Sequence, residues 1–218
     1  MGMATQPQEA MPSVNPRRQA VVRLLRNRKA MFGLFCLTII TLSAVFAPFI
    51  TTHDPDRQNV RNRLQGSSAE HWLGTDYLGR DVFARIVYGG RVSLQVGFVA
   101  VGIALVFGGT MGLLAGYYGG WLESFIMRIV DILLALPGFL LALAIIATLG
   151  SSITNVMIAV GIAYSPGLAR VTRSAVIAVT QFEYVTAARA AGAGDFRIIW
   201  RHILPNSTGP IIVQTTLS

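Results

Sequence analysis

EYVTAARAAGAGDFRIIWRHILPN, residues 183–206, is a polar and basic stretch between two strongly apolar ones. Thr180 and Glu183 have the spacing of a capping box, in which each side chain satisfies the other's free backbone N–H, so the pattern predicts a helix over residues 181–191. Gly192 and Gly194 stop it, because glycine takes the left-handed conformation of a helix C-cap without steric cost. Asp195 stands where it caps a second short helix, with Phe196, Ile199, Trp200 and Ile203 at i, i+3, i+4 and i+7. Arg197 and Arg201 fall on the other face, and Pro205 is the expected end. Helices this short are marginal alone, since nucleation is costly. They need something to dock against.

Of the 218 residues 53% are apolar and 13% charged, with a mean hydropathy of +0.55. That is a membrane composition. The formal net charge of +8 invites a nucleic-acid reading, but six of the 18 basic residues precede the first apolar run and five follow the fourth. Such clustering fits orientation by the positive-inside rule better than a DNA-binding face. Cys36 stands alone inside an apolar run, so the chain has no disulfide framework and no thiolate metal site. No GxxxxGK[ST] phosphate loop, G-x-S-x-G elbow or H-E-x-x-H zinc helix occurs. No catalytic, cofactor-binding or metal-binding residue is therefore nominated. His53, His71 and His202 fall on loops of opposite expected sidedness, and no shared metal site is expected among them.

Residues 1–30 form a basic tail containing Arg17, Arg18, Arg23, Arg26, Arg28 and Lys29. Disorder is expected up to Asn15, and Pro16 to Lys29 reads as a solvated flank that fixes topology, with an interfacial helix through Val21, Val22, Leu24 and Leu25 as the alternative. Residues 31–50 carry no charge and are long enough to cross a hydrocarbon core. Their length and Pro48 mark a retained anchor rather than a cleaved signal. Residues 51–92 hold six Arg and five acidic residues, a balance suited to the outer side. Within them Asp76, Arg80, Asp81 and Arg85 fall at i, i+4, i+5 and i+9, as in a helix that pairs opposite charges. The reading is a surface helix with Val82, Phe83, Ile86 and Val87 buried.

Residues 93–118 form a second span, in which Gly108, Gly112 and Gly116, continued by Gly120, make a small-xxx-small face for a tight helix seam. The third span covers residues 125–149, with Arg128 and Asp131 paired at i, i+3 and a kink expected at Pro137-Gly138. The fourth, residues 153–168, is interrupted by Gly161, Tyr164 and Ser165-Pro166-Gly167, and delivers the chain to Arg170 and Arg173. Four crossings from a cytoplasmic N-terminus return residues 170–206 to the cytoplasm. Residues 208–218 begin a further apolar run.

Two motifs carry a family resemblance. Ala187-Ala188, Gly192 and Leu204-Pro205 resemble the "EAA" loop of permease subunits of binding-protein-dependent ABC importers, with the general motif's Glu falling on Thr186 and its Ile on His202. The second motif comprises His71-Trp72-Leu73-Gly74-Thr75-Asp76, Gly79-Arg80-Asp81, Arg85 and Gly89-Gly90-Arg91-Val92-Ser93-Leu94. It is similar to the signature near the N-terminus of the C-type permease of dipeptide, oligopeptide and nickel importers.

The resemblance implies an all-α, polytopic transmembrane bundle of the type I ABC importer permease kind, with five to six spans and this chain ending within the fifth. It implies a permease core over residues 93–218 in a bacterial inner membrane, and an ATPase-coupling loop at residues 170–206. That loop would use Glu183, Tyr184, Ala187, Ala188, Arg189, Gly192, Ala193, Asp195, Arg197, Arg201, His202, Leu204 and Pro205. Gly74, Thr75, Asp76, Gly79, Arg80, Asp81, Arg85 and Arg91 would form the extracytoplasmic signature.

The implied partners are a homologous B-type permease, two ABC ATPase subunits that bind ATP and Mg, an extracytoplasmic substrate-binding protein and membrane lipid. No nucleic acid and no cofactor in this chain are expected. Peptides are the implied substrate, with nickel or another small solute as the alternative. A membrane-tethered DNA-binding protein fits poorly, because Phe196, Ile198 and Ile199 stand where a recognition helix needs polar groups. An ATP-independent transporter fits poorly as well, since only Arg128 and Asp131 offer intramembrane charge for ion coupling.

Overall fold

The structure, a computed structural model, describes residues 25–217. The tail through residue 24, and what the sequence implies for it, lies outside the described residues. The chain divides into two compact units, Met1–Arg91 and Val92–Ser218.

In the first unit, Asn27 caps α1 (Arg28–Val45) by accepting from the backbone N–H groups of Lys29 and Ala30. Phe32, Phe35, Leu37 and Ile40 are all exposed and only Ala44 is buried, the pattern of a helix whose solvent is hydrocarbon. The short α2 (Ala47–Ile50) has Pro48 in its first turn and closes the span.

The loop after it holds itself together through its own backbone. Leu64 donates to the Asp76 carbonyl, Thr75 to that of Gln65, and Thr75 and Asp81 form an antiparallel bridge. Gly74 and Gly79 adopt φ of +74° and +72°. A Cβ on either would collide with the backbone of Gln65 or Asn59, so only glycine allows the two passes of chain to approach this closely.

The predicted surface helix through Asp76, Arg80, Asp81 and Arg85 does not form. Asp76 and Arg80 belong to the loop, and α3 (Val82–Tyr118) begins only after Asp81, whose Oδ1 accepts from the Ala84 N–H at 2.6 Å. Val87 is buried as expected and Val82 and Phe83 partly so, but Ile86 is exposed. α3 then runs unbroken for 37 residues, about 55 Å.

The second unit is built on α6 (Ile153–Thr180), capped by Ser152. The expected break at residues 161–167 does not occur: buried Pro166 sits inside a continuous 28-residue helix that also carries Arg170 and Arg173. Tertiary packing holds this helix where proline alone would weaken it.

α3 lies along α6 through Gly108, Gly112 and Gly116, whose missing side chains face Ser165, Ala169 and Arg173 in turn. The order shows that the two helices run parallel. A Cβ on Gly116 would sit 2.8 Å from the Arg173 carbonyl oxygen, so the seam closes only on glycine. Gly120 leaves the row; it opens α4 (Gly120–Leu134) at φ +58° with nothing within 4 Å of its absent Cβ.

α4 packs Ile126 and Val130 with Ala115 and Ala169. It meets α5 (Gly138–Leu149) at 88°, so the third span is no straight rod. Pro137 starts α5, and its missing N–H and fixed φ account for the position of the bend. Among the described residues, α1 and α3 are long and apolar enough to cross a membrane, and α4 with α5 make a third candidate if the bent pair is one span.

The two short helices are present with shifted ends. Thr180 ends α6 and donates to the Ile177 carbonyl, so the Thr180–Glu183 capping box is not made; α7 (Glu183–Ala190) starts after Phe182. Gly192 takes φ +79°, whereas Gly194 is extended and itself precedes α8 (Asp195–Ile198), placing Asp195 in the first turn rather than at the cap.

Pro205 does not end the second helix. Residues Ile199–Ile203 form a π-helical turn, in which the Leu204 N–H reaches back to the Ile199 carbonyl, and the chain continues as α9 (Leu204–Leu217). The wider turn relieves the clash that a proline ring makes with the carbonyl four residues earlier.

Candidate functional site

α7 and α8 are docked by three side chains with no solvent exposure, Val185, Ile198 and Ile203. They pack against Tyr117 near the end of α3 and against Val176 and Val179 near the end of α6, with Ala188, Ala193 and Ile199 around them. The Tyr117 hydroxyl donates to Asp195 Oδ1 at 2.7 Å, and the Arg189 guanidinium lies 5.5 Å from the centre of the same ring.

Of the nominated loop residues, Glu183, Tyr184, Ala187, Arg189, Gly192, Asp195, Arg197, Arg201 and Pro205 face outward. Ala188, Ala193, His202 and Leu204 are partly covered. Phe196 and Trp200 stand exposed beside them with ring centres 6.0 Å apart, and Tyr184 approaches the His202 ring at 6.0 Å. Among the described residues neither Arg197 nor Arg201 has an ion-pair partner. The site is a ridge of small, aromatic and basic groups on a buried apolar footing.

α6 is also tied to α4 by charge. Arg173 Nε donates to Glu123 Oε1 at 2.6 Å, with a second, shorter contact from Nη2, and Arg170 Nη2 donates to Asp131 Oδ1 at 2.6 Å. Asp131 thus pairs with Arg170, and the Arg128–Asp131 pair expected from their i, i+3 spacing does not form. The arrangement makes α4 antiparallel to α6 and brings the start of α4, the ends of α3 and α6, and the two-helix loop to one end of the unit.

In the first unit, Asp76 is the hub of the second motif. Its Oδ1 accepts from the backbone N–H groups of Leu78 and Arg80, and its Oδ2 from Arg80 Nε at 2.8 Å and Arg85 Nη1 at 2.7 Å. Desolvation raises its pKa, but these N–H donors and the Arg80 charge outweigh it and hold the carboxyl at about 2. Arg80 is correspondingly pushed up, first by its bond to Asp76. Thr75 reaches back by donating to the Asn62 carbonyl, while Gly74 and Gly79 form the close approaches. Arg91 is exposed at the end of the unit.

His53 and His71 share the loop of residues 51–92, and the structure brings them together with ring centres 5.1 Å apart. His202 belongs to the second unit.

Tyr117, Glu123 and the His53–His71 pair were not singled out from sequence. Tyr117 is the last aromatic but one of an apolar run, and Glu123 is the first acid after the Gly119-Gly120 turn. Only the second of these is a local signal.

Residues 108–218 match the family model described as binding-protein-dependent transport system inner membrane component, and residues 15–66 match the N-terminal TM domain of oligopeptide transport permease C. The chain belongs to this permease family. It is 52% identical over 211 residues to the dipeptide transport system permease protein DppC of Alkalihalophilus pseudofirmus, covering 97% of this chain and 69% of that one. It is 44% identical over 200 residues to the glutathione transport system permease protein GsiD of Pectobacterium atrosepticum, covering 91% and 66%. The permease chain spans about two thirds of the length of these curated relatives. Its fold is the all-α membrane bundle of type I permeases, and it is a transport subunit of the inner membrane.

Proposed function

We propose that this permease forms half of the membrane path of an ATP-driven importer of dipeptides or oligopeptides, and that α7 and α8 are the surface an ATPase subunit grips. The observation that carries the reading is the mounting of the loop. Val185, Ile198 and Ile203 seat it on the ends of α3 and α6 together, so a displacement of α7 is delivered to two long helices at once. The outer side offers Ala187, Ala190 and Gly192 for close approach, Phe196 and Trp200 as apolar anchors, and Arg189, Arg197 and Arg201 for carboxylates of a partner.

ATP and Mg bind to the ATPase subunits. This chain does no chemistry and carries no cofactor for transport. A homologous second permease completes the path, and an extracytoplasmic binding protein delivers the substrate. Peptide is the favoured cargo because relatives are named for dipeptides and glutathione; nickel or another small solute is the alternative. The basic N-terminal tail and the two-helix loop both face the cytoplasm.

Gly192 tests the docking role. Its φ of +79° is costly for any residue with a Cβ, while the space around it is open, so Gly192→Val perturbs the turn without a clash. ATPase co-purification and peptide uptake should both fall at unchanged membrane abundance; unchanged values for both remove the role. Labelling of Ala190→Cys in intact cells by an impermeant thiol reagent would overturn the sidedness.

A further inference from the structure

We propose that His53, Glu70 and His71 form a binding site for a divalent transition-metal cation of the zinc class, which clasps the loop preceding α3. One donor atom from each of the three lies within 4.8 Å of one from each of the others. They come from two stretches of chain, one just after α2 and one just before Trp72, folded together beside a polar cleft of about 350 Å³.

The deciding group is His71. Its side chain is 8% exposed, and its Nδ1 donates to Asp81 Oδ2 at 2.9 Å. Asp81 is itself fixed, since its other oxygen accepts the Ala84 N–H. An ionised carboxylate only accepts, so the imidazole proton sits on Nδ1 and the lone pair on Nε2. That Nε2 is buried and has no hydrogen-bond partner. A buried lone pair without a donor is costly, and a metal ion satisfies it. A carboxylate behind an imidazole is also the arrangement that orients metal-binding histidines and raises their basicity.

The remaining donors complete the set. Two imidazole nitrogens and one carboxylate oxygen suit Zn²⁺ and its borderline neighbours, whereas Ca²⁺ and Mg²⁺ take oxygen sets. Ligand bonds near 2.0–2.1 Å put tetrahedral donors about 3.3 Å apart, so the cluster must contract. His53 is half-buried and Glu70 exposed, and both can move inward while His71 stays fixed. The cleft leaves the fourth position to water.

The test uses the purified full chain, carrying no histidine tag, stripped with a chelator and titrated with Zn²⁺ against a chromogenic competitor. About one equivalent should bind, and Co²⁺ in its place should give the visible bands of a four-coordinate ion. His53→Ala and Glu70→Gln, which leave the buried His71–Asp81 pair intact, should each weaken Zn²⁺ binding at least tenfold with an unchanged circular-dichroism spectrum. Asp81→Asn should weaken it roughly 10–100-fold, and His202→Ala should have no effect. If the stripped chain takes up no Zn²⁺, or His53→Ala binds as tightly as the parent, the proposal is overturned and Nε2 is served by water.

Discussion

The hydroxyl of Tyr117 donates to Asp195 Oδ1 at 2.7 Å, joining the last turn of α3 to the first turn of α8 across 78 positions of sequence. The ring beneath is buried against Val185 and Ile198, so this one side chain contributes both apolar contact and a polar lock. Tyr117→Phe keeps the first and removes the second. The expected loss is about 1 kcal/mol of loop docking. Asp195→Ala should cost a similar amount and the double variant little more, because the two changes delete one interaction. In reconstituted complexes the ATP hydrolysed per peptide imported should rise, since a loosened α8 passes on less of the motion. An unchanged ratio would separate this bond from coupling.

Gly112 and Gly109 are three residues apart on α3 and have opposite surroundings. A Cβ at Gly112 would lie 2.6 Å from Thr172 Cβ and 2.9 Å from the Arg173 backbone nitrogen, while nothing lies within 4 Å at Gly109. Gly112→Ala should therefore cost about 1–3 kcal/mol as α3 and α6 are forced apart. Gly109→Ala should be neutral or slightly stabilising. Equilibrium unfolding in mixed micelles distinguishes the two, and equal effects would refute the seam.

Glu123–Arg173 is the better shielded of the two ion pairs on α6, at 24% and 31% side-chain exposure against 60% and 55% for Asp131–Arg170. A double-mutant cycle should give the larger coupling for Glu123–Arg173. Arg173→Met alone should be more harmful than Arg173→Met with Glu123→Gln, because the single change strands a partly buried carboxylate.

Asp76 sets an acid limit for the loop of the first unit. Its pKa is about 2 in the fold against an ordinary 3.8. A depressed carboxyl stabilises the fold above its unfolded pKa, and the contribution is lost as pH falls through the folded value. The loop should thus hold constant stability above about pH 5 and weaken between about pH 4 and pH 2. Trp72 packs on Phe83 at 5.0 Å and its fluorescence reports the change. Asp76→Asn should already be weakened at neutral pH and show a smaller acid dependence over that window.

Local pattern served well where the cause was local. The glycine stop at Gly192, the Gly108–Gly112–Gly116 face and the bend at Pro137 each follow from backbone chemistry within a few residues. It served badly where a distant partner decides. Pro166 looked like a break, but burial along α3 and α4 keeps α6 whole. Asp131 looked like a partner of Arg128 three positions away, and pairs instead with Arg170, 39 positions on. The Asp76–Arg85 charges had helical spacing, yet two positive-φ glycines fold the chain so that loop and helix supply opposite ends of the same cluster. His53 and His71, 18 positions apart, also meet through the fold of this loop, and no spacing rule foretells it.

The π-helical turn at Ile199–Ile203 has one more consequence. A turn that holds a surplus residue takes up the roughly 100° by which one residue more or less rotates an ordinary α-helix. Excising a single residue there should restore an ordinary ladder and leave Ser207 near the interior it now occupies, whereas excising one inside α9 would turn everything beyond it by about 100°. The direction in which the chain after Pro205 presents its faces is thus buffered against a change of one residue within the turn.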